Sequence, residues 1–171
     1  EFVGVNCGIM DQFVSVHARA GHALMLDCRS LDHEQLPLDT EAFRVVVCNT
    51  MVHHELGSSE YNKRRARCEE AAATLNERVD SDVEMLRDVT PEMLDQNGDA
   101  LDEVTRKRAR HVVTEIDRTE RAGMALKFAN YEEFGRLMNA SHESLRDDYE
   151  VSCEELDIMV EIAREQEGVY G

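Results

Sequence analysis

The residues of this chain best suited to chemistry stand near its start. Cys7-Gly8-Ile9-Met10-Asp11-Gln12-Phe13 sets a carboxylate inside a short apolar run, three residues beyond a glycine. A carboxylate there has two uses. Near a helix N-terminus it is favoured by the macrodipole, by about 0.3–1 kcal/mol. It can also take the proton from a substrate hydroxyl, as phosphoryl transfer to an alcohol requires. Gly8 suits the second use, because a backbone without a side chain lets a ligand approach. Other clusters read more plainly. Cys48 with His53 and His54 fits no standard metal-ligand spacing. Lys63, Arg64, Arg65 and Arg67 could meet phosphate, but beside so many acids they read as a salt-bridged helix surface. Arg146-Asp147-Asp148, ahead of Tyr149, reads as a turn held by charge-assisted hydrogen bonds.

Composition limits what those residues can serve. The 171 residues suffice for one ordinary domain or parts of two, and 42% hydrophobic content supports a packed core. A formal charge of −17 repels phosphate backbones and anionic lipid, which argues against nucleic-acid and membrane-surface binding. Aromatics at 5%, with no tryptophan, argue against a base-stacking surface. The five cysteines, at 7, 28, 48, 68 and 153, include no C-x-x-C pair, so reduced thiols in a cytoplasmic protein are expected. No apolar run approaches the roughly 20 residues that cross a bilayer, and no signal peptide is expected at the start.

The elements that must position Asp11 follow from periodicity. Residues 6–19 are predicted helical, with Ile9, Phe13, Val16 and Ala20 along one face and Gly21 as the stop. Residues 22–28 read as a strand apolar on both faces. Leu36-Pro37-Leu38 reads as a second strand, pushed to an edge or an end by its proline. FRVVVC at 43–48 is predicted as a central strand, because its three consecutive valines are β-branched. From Ser58 the chain turns helical, with Ser58 or Ser59 as cap. A helix to about Arg78 precedes a short one at 91–94 capped by Thr90, with Pro91 at its first position. A long helix is expected at 100–128, with Val104, Val112, Ile116 and Met124 as its stripe. The next is capped by Asn130, with Tyr131, Phe134, Leu137, Met138 and Leu145 facing inward. The last is capped by Ser152 in a capping box with Glu155, and has Leu156, Met159, Val160 and Ala163 inward. The order is α+β, with a seam placed near Ala42.

Several blocks, in order, carry a resemblance: CGIMDQF at 7–13, HALMLDCRSL at 22–31, SSEYNKRRARCEEA at 58–71, RARHVVTEIDRT at 108–119 and SHESLRDDYEVSCEELD at 141–157. Together they resemble the galactokinases of the GHMP small-molecule kinases. The resemblance implies a two-lobe fold, with residues 1–42 ending the N-terminal catalytic lobe and 43–171 forming a largely helical part of the C-terminal lobe. It implies ATP-dependent phosphorylation of galactose at its 1-hydroxyl by a monomer, with Mg²⁺. Carried over by residue, Asp11 becomes the catalytic carboxylate at the anomeric hydroxyl. Gly8 becomes the glycine bordering the sugar, and Tyr61 of the SSEY block a sugar hydrogen-bonding phenol. Tyr61 can equally be a helix-start tyrosine packed between lobes.

The family's other motifs are expected outside these residues. They are an early sugar motif with Arg, Glu, His and Asp, the phosphate loop PxGxGLSSSA, the magnesium-binding serine and glutamate, and a late GxGFGGC turn. The chain therefore reads as an internal stretch that holds part of the sugar wall and no cofactor or metal ligand, and is inactive alone. A catalytically silent galactose sensor and an N-acetylgalactosamine kinase are the neighbouring readings. A helical interaction module without a ligand is the third.

Overall fold

The computed structural model describes residues 8–52 and 59–171, with the Ser59 side chain left out. Asn6 and Cys7, the pair His53-His54 and the expected cap Ser58 lie outside the described residues. Helix α1 (Met10–His17) leads into a hairpin of β1 (His22–Leu26) and β2 (His33–Pro37). Then follow α2 (Ser59–Asn76), α3 (Pro91–Asn97), α4 (Glu103–Lys127), α5 (Tyr131–Asp147) and α6 (Glu154–Arg164). Short 3₁₀ turns at Leu86–Asp88 and Gly98–Ala100 flank α3. The expected α+β order holds, with the sheet reduced to one antiparallel pair running from His22↔Pro37 to Leu26↔His33.

Side-chain chemistry sets the hairpin turn. Asp27 Oδ1 accepts the amides of Arg29 (2.8 Å) and Ser30 (3.1 Å), which ends β1 two residues earlier than expected. Leu31 completes the turn at φ 65°. The same Asp27 binds Arg87 through both carboxylate oxygens, and Arg29 reaches Asp88 at 2.9 Å. The hairpin tip is thus tied to the turn before α3. Pro37 closes β2, where a residue without an N–H does least harm.

Leu75 and Ala71 are fully buried in a core shared by α2, α4 and the turn around Leu86. Alanines at 71, 72 and 109 let the two helices approach closely, while Val83, Leu86, Val89, Leu94 and Val113 fill the space around them. The hairpin reaches α4 at Gly123. A Cβ there would stand 2.8 Å from Met25 Sδ and 3.5 Å from Leu36 Cδ1.

Caps behave as expected at two helices. Thr90 Oγ1 accepts the Met93 amide at 3.2 Å, with Pro91 opening α3. Asn130 Oδ1 accepts the Glu133 amide at 3.2 Å and starts α5. The last helix differs. Cys153 occupies the N-cap of α6 without a side-chain bond, and Ser152 Oγ instead donates to Asp157 Oδ1 at 2.6 Å. The strong nearby acceptor takes the hydroxyl away from the capping role.

The strand expected at 43–48 is absent. Residues 44–52 have no regular structure, and Val45, Val46 and Val47 are 75%, 77% and 89% exposed. β-branched residues favour a strand only where a neighbour takes up the backbone donors and acceptors. Among the described residues nothing pairs with this segment. The stripe expected on α4 holds at its middle, where Val112 packs against the core and Ile116 is half-buried, and fails at its ends. Val104 and Met124 are 46% and 50% exposed, whereas Thr105, Arg108, Ala109, His111 and Val113 are buried. On α5, Leu137 is buried as expected and Met138 is exposed. On α6 no residue is fully buried.

One close approach gives a testable consequence. A Cβ on Gly135 would stand 2.1 Å from the Tyr170 carbonyl oxygen and 2.6 Å from its Cβ. Gly135→Ala should therefore push residues 168–171 off α5 while leaving α4 and α5 paired. Limited proteolysis checks it. Faster cleavage beside Tyr170 with an unchanged α5 is the expected pattern, and unaltered cleavage would show that the segment rides over the methyl group.

Candidate functional site

Among the described residues beyond its chain neighbours, no atom lies within 4 Å of the position a Cβ on Gly8 would take, and its φ is not in the left-handed region. Neither internal crowding nor backbone conformation therefore requires a glycine there. Asp11 follows as the second residue of α1. Its side chain is exposed, and among the described residues no ion pair or hydrogen bond engages its carboxylate. Its backbone carbonyl accepts Ser15 Oγ at 2.6 Å. The N-cap, Ile9, offers no side-chain acceptor, so the free amides of the first turn and the Asp11 carboxylate share one open end.

The other end of α1 is held by ring and amide contacts. Phe13 stacks on His17 with centroids 4.2 Å apart and meets His33 of β2 edge-on at 5.3 Å. Gln35 Nε2 donates to the His17 carbonyl at 2.8 Å.

Tyr61 lies in the first turn of α2 and is 50% exposed. No described hydrogen bond or ring contact joins it to Asp11. Two grooves, of about 320 Å³ between α4 and α5 and about 230 Å³ beside Arg106, are lined by other residues. Gly8, Asp11 and Tyr61 are all exposed.

The basic run on α2 is salt-bridged as expected. Lys63 reaches Glu60 at 2.7 Å, and Arg65 and Arg67 reach Glu69 and Glu70 at 2.9 Å each. Arg146 pairs with Asp147 at 2.8 Å, the structural role expected for it. Among the described residues no group of three His, Cys, Asp or Glu side chains could hold a metal, and no helix is long and apolar enough to cross a membrane.

A polar cluster that the sequence reading missed lies between α4 and α5. Arg108 and His111 are both 6% exposed. His111 Nδ1 is 3.0 Å from Ser144 Oγ, and its ring lies 4.5 Å from that of Tyr149. Burial pushes the Tyr149 phenol up to about 12 and pulls the His111 imidazole below its ordinary range. The available signal was the spacing of Arg108 and His111, three apart and so on one face of the predicted helix.

His111 makes a pH prediction. A folded-state value below the unfolded one means that the unfolded chain binds the proton more readily. The contribution is present above about pH 6.5 and lost as pH falls from there towards the folded value. His111→Gln should flatten the dependence of the urea midpoint between pH 7.5 and 5. Parallel curves for the two proteins would remove His111 from the acid response.

No family model matches the chain. Over all 171 residues it is 50% identical to the galactokinases of Bos taurus and Homo sapiens, covering 42% of each. It is 46% identical to a galactokinase of Thermotoga maritima, covering 46% of it. A crystal structure of Lactococcus lactis galactokinase complexed with galactose superposes with a TM-score of 0.93 at 41% identity, over 99% of this chain and 44% of that one. The chain thus spans less than half the length of the curated relatives it matches. Over all 171 residues the chain is therefore similar, in sequence and in fold, to somewhat less than half of a galactokinase.

Proposed function

We propose that the protein carrying these residues transfers the γ-phosphoryl group of ATP to the 1-hydroxyl of α-D-galactose, and that Asp11 takes the hydroxyl proton. In that reaction the bond from sugar O1 to phosphorus forms as the bond from phosphorus to the ADP oxygen breaks. The proton passes to the Asp11 carboxylate. The observation that carries the reading is Asp11 itself: an exposed carboxylate, without a partner among the described residues, in the block that resembles the galactokinase catalytic motif. Gly8 stands three residues before it, and no described residue beyond its chain neighbours crowds the position of a Cβ there. Tyr61, half exposed, keeps a hydroxyl for hydrogen bonding and a ring face for a hexose.

Magnesium, which the family implies, finds no fitting ligand group among the described residues, and no step here runs through it. We place the reaction in the cytoplasm, where ATP is abundant and the five thiols of the sequence would stay reduced. Galactose-dependent ATP consumption by the full-length protein and its Asp11→Asn variant tests the reading, with a galactose-binding titration of both. Binding without turnover in the unaltered protein would instead indicate a galactose sensor.

A further inference from the structure

We propose that His33 and Gln35 are positioning residues for Asp11, clasping the last turn of the helix that carries it; this rests on Asp11 being the proton acceptor. Helix α1 needs such a clasp. It has eight residues, none of them fully buried, and no side-chain cap at its N-terminus. A helix that short is marginal by itself. β2 supplies what burial does not. His33 and Gln35 stand two apart and so present their side chains to one face of the strand.

From that face His33 meets the Phe13 ring at 5.3 Å and the His17 ring at 5.0 Å. Gln35 donates to the His17 carbonyl at 2.8 Å, one of the free carbonyls at the helix end. The amide oxygen of Gln35 is buried without a partner among the described residues. Half of a buried amide left unsatisfied is unfavourable. Among the described residues, the side chain's one hydrogen bond is the one to the helix.

Lever arithmetic gives the consequence. From His17 back to Asp11 is six residues, or about 9 Å of helix. Pivoting α1 by about 10° at the clasp would carry the Asp11 backbone roughly 1.5 Å. Catalytic groups tolerate only about 0.5 Å of displacement. Loosening β2's hold should therefore lower turnover through Asp11 and leave ATP binding alone.

Kinetics of the full-length protein test this. Gln35→Leu, which keeps the bulk and removes the donor, should lower kcat about tenfold. Combining it with His33→Ala should lower kcat roughly 10- to 100-fold, with KM for ATP within about twofold of the unaltered protein. His33→Phe keeps a ring against Phe13 and should retain kcat; Gln35→Lys returns a donor and should recover most of it. In an Asp11→Asn background, Gln35→Leu should cause no further loss. If Asp11→Asn abolishes turnover but Gln35→Leu and His33→Ala keep full kcat, the clasp is overturned and the reading of Asp11 stands. If Asp11→Asn keeps full turnover, both fall. Should Gln35→Leu fail to fold, the His33→Phe and His33→Ala pair decides, and equal kcat in the two overturns the proposal.

Discussion

Asp11→Asn in the full-length protein should lower galactose phosphorylation by about 10²–10⁴-fold while weakening galactose binding only a few-fold. Asparagine keeps the size of the side chain and much of its hydrogen bonding. It cannot accept the hydroxyl proton, and it brings no negative charge to the attacking oxygen. The exposed position in α1 matters to this expectation, because the folded chain around it uses the carboxylate for nothing else that is described. Were Asp11 only a favourable charge at a helix N-terminus, the variant would lose about 0.3–1 kcal/mol of stability and keep its turnover. The 171 residues alone should consume no ATP in the presence of galactose, in either form. Phosphoryl transfer depends on cradling the phosphates, and the sequence holds no Gly/Ser-rich phosphate loop. Coupled ATP-consumption assays on the four proteins separate these cases. Unchanged turnover in full-length Asp11→Asn would sink the catalytic reading.

Legibility in the sequence followed the range of the interactions concerned. Thr90 and Asn130 were readable as caps because a cap bonds within three residues of itself. Ser152 misled for the opposite reason: Asp157, five residues on, outbids the local amide for its hydroxyl. On α4, apolar periodicity picked Val104 and Met124, but contact with α2 and α5 selected Thr105, Arg108 and His111. A pattern built on hydrophobicity passes over polar side chains whose burial depends on partners far along the chain. The valines at 45–47 carry a strong strand preference, and a strand needs a neighbour that lies nowhere among the described residues. The candidate site was legible only as a motif. Asp11 and Gly8 are candidates through their block alone, while His33 and Gln35, proposed to hold the helix, lie outside any motif and emerge only from the packing of β2 on α1.

Arg108→Met should cost about 2–4 kcal/mol of stability, a large share of the roughly 5–15 kcal/mol that holds a domain together. Arg108 donates to the Asp148 carbonyl and to Glu150 Oε2 at 2.5 Å, and its guanidinium lies 5.9 Å from the centre of the Tyr149 ring. Arg64 takes the next two carbonyls, those of Tyr149 at 3.0 Å and Glu150 at 2.7 Å. Two arginines from α4 and α2 thus capture three successive carbonyls of the turn after α5. Glu150, at φ 53°, sits in the left-handed region that such a turn demands of it. Methionine matches the stem of Arg108 but leaves the Asp148 carbonyl without its charged donor; the pair with Glu150, whose carboxylate is open to water, adds little. Arg108→Lys should recover only part of the loss, since one ammonium replaces a planar fork with two targets. Arg64→Met alone should cost less, because its side chain is 18% exposed and water can replace it. Because both arginines hold one turn, the double variant should depart from the sum of the two by about 0.5–3 kcal/mol. Urea midpoints for the four proteins measure each quantity. Strict additivity would mean that the two arginines act on independent structures and that the turn is not their common object.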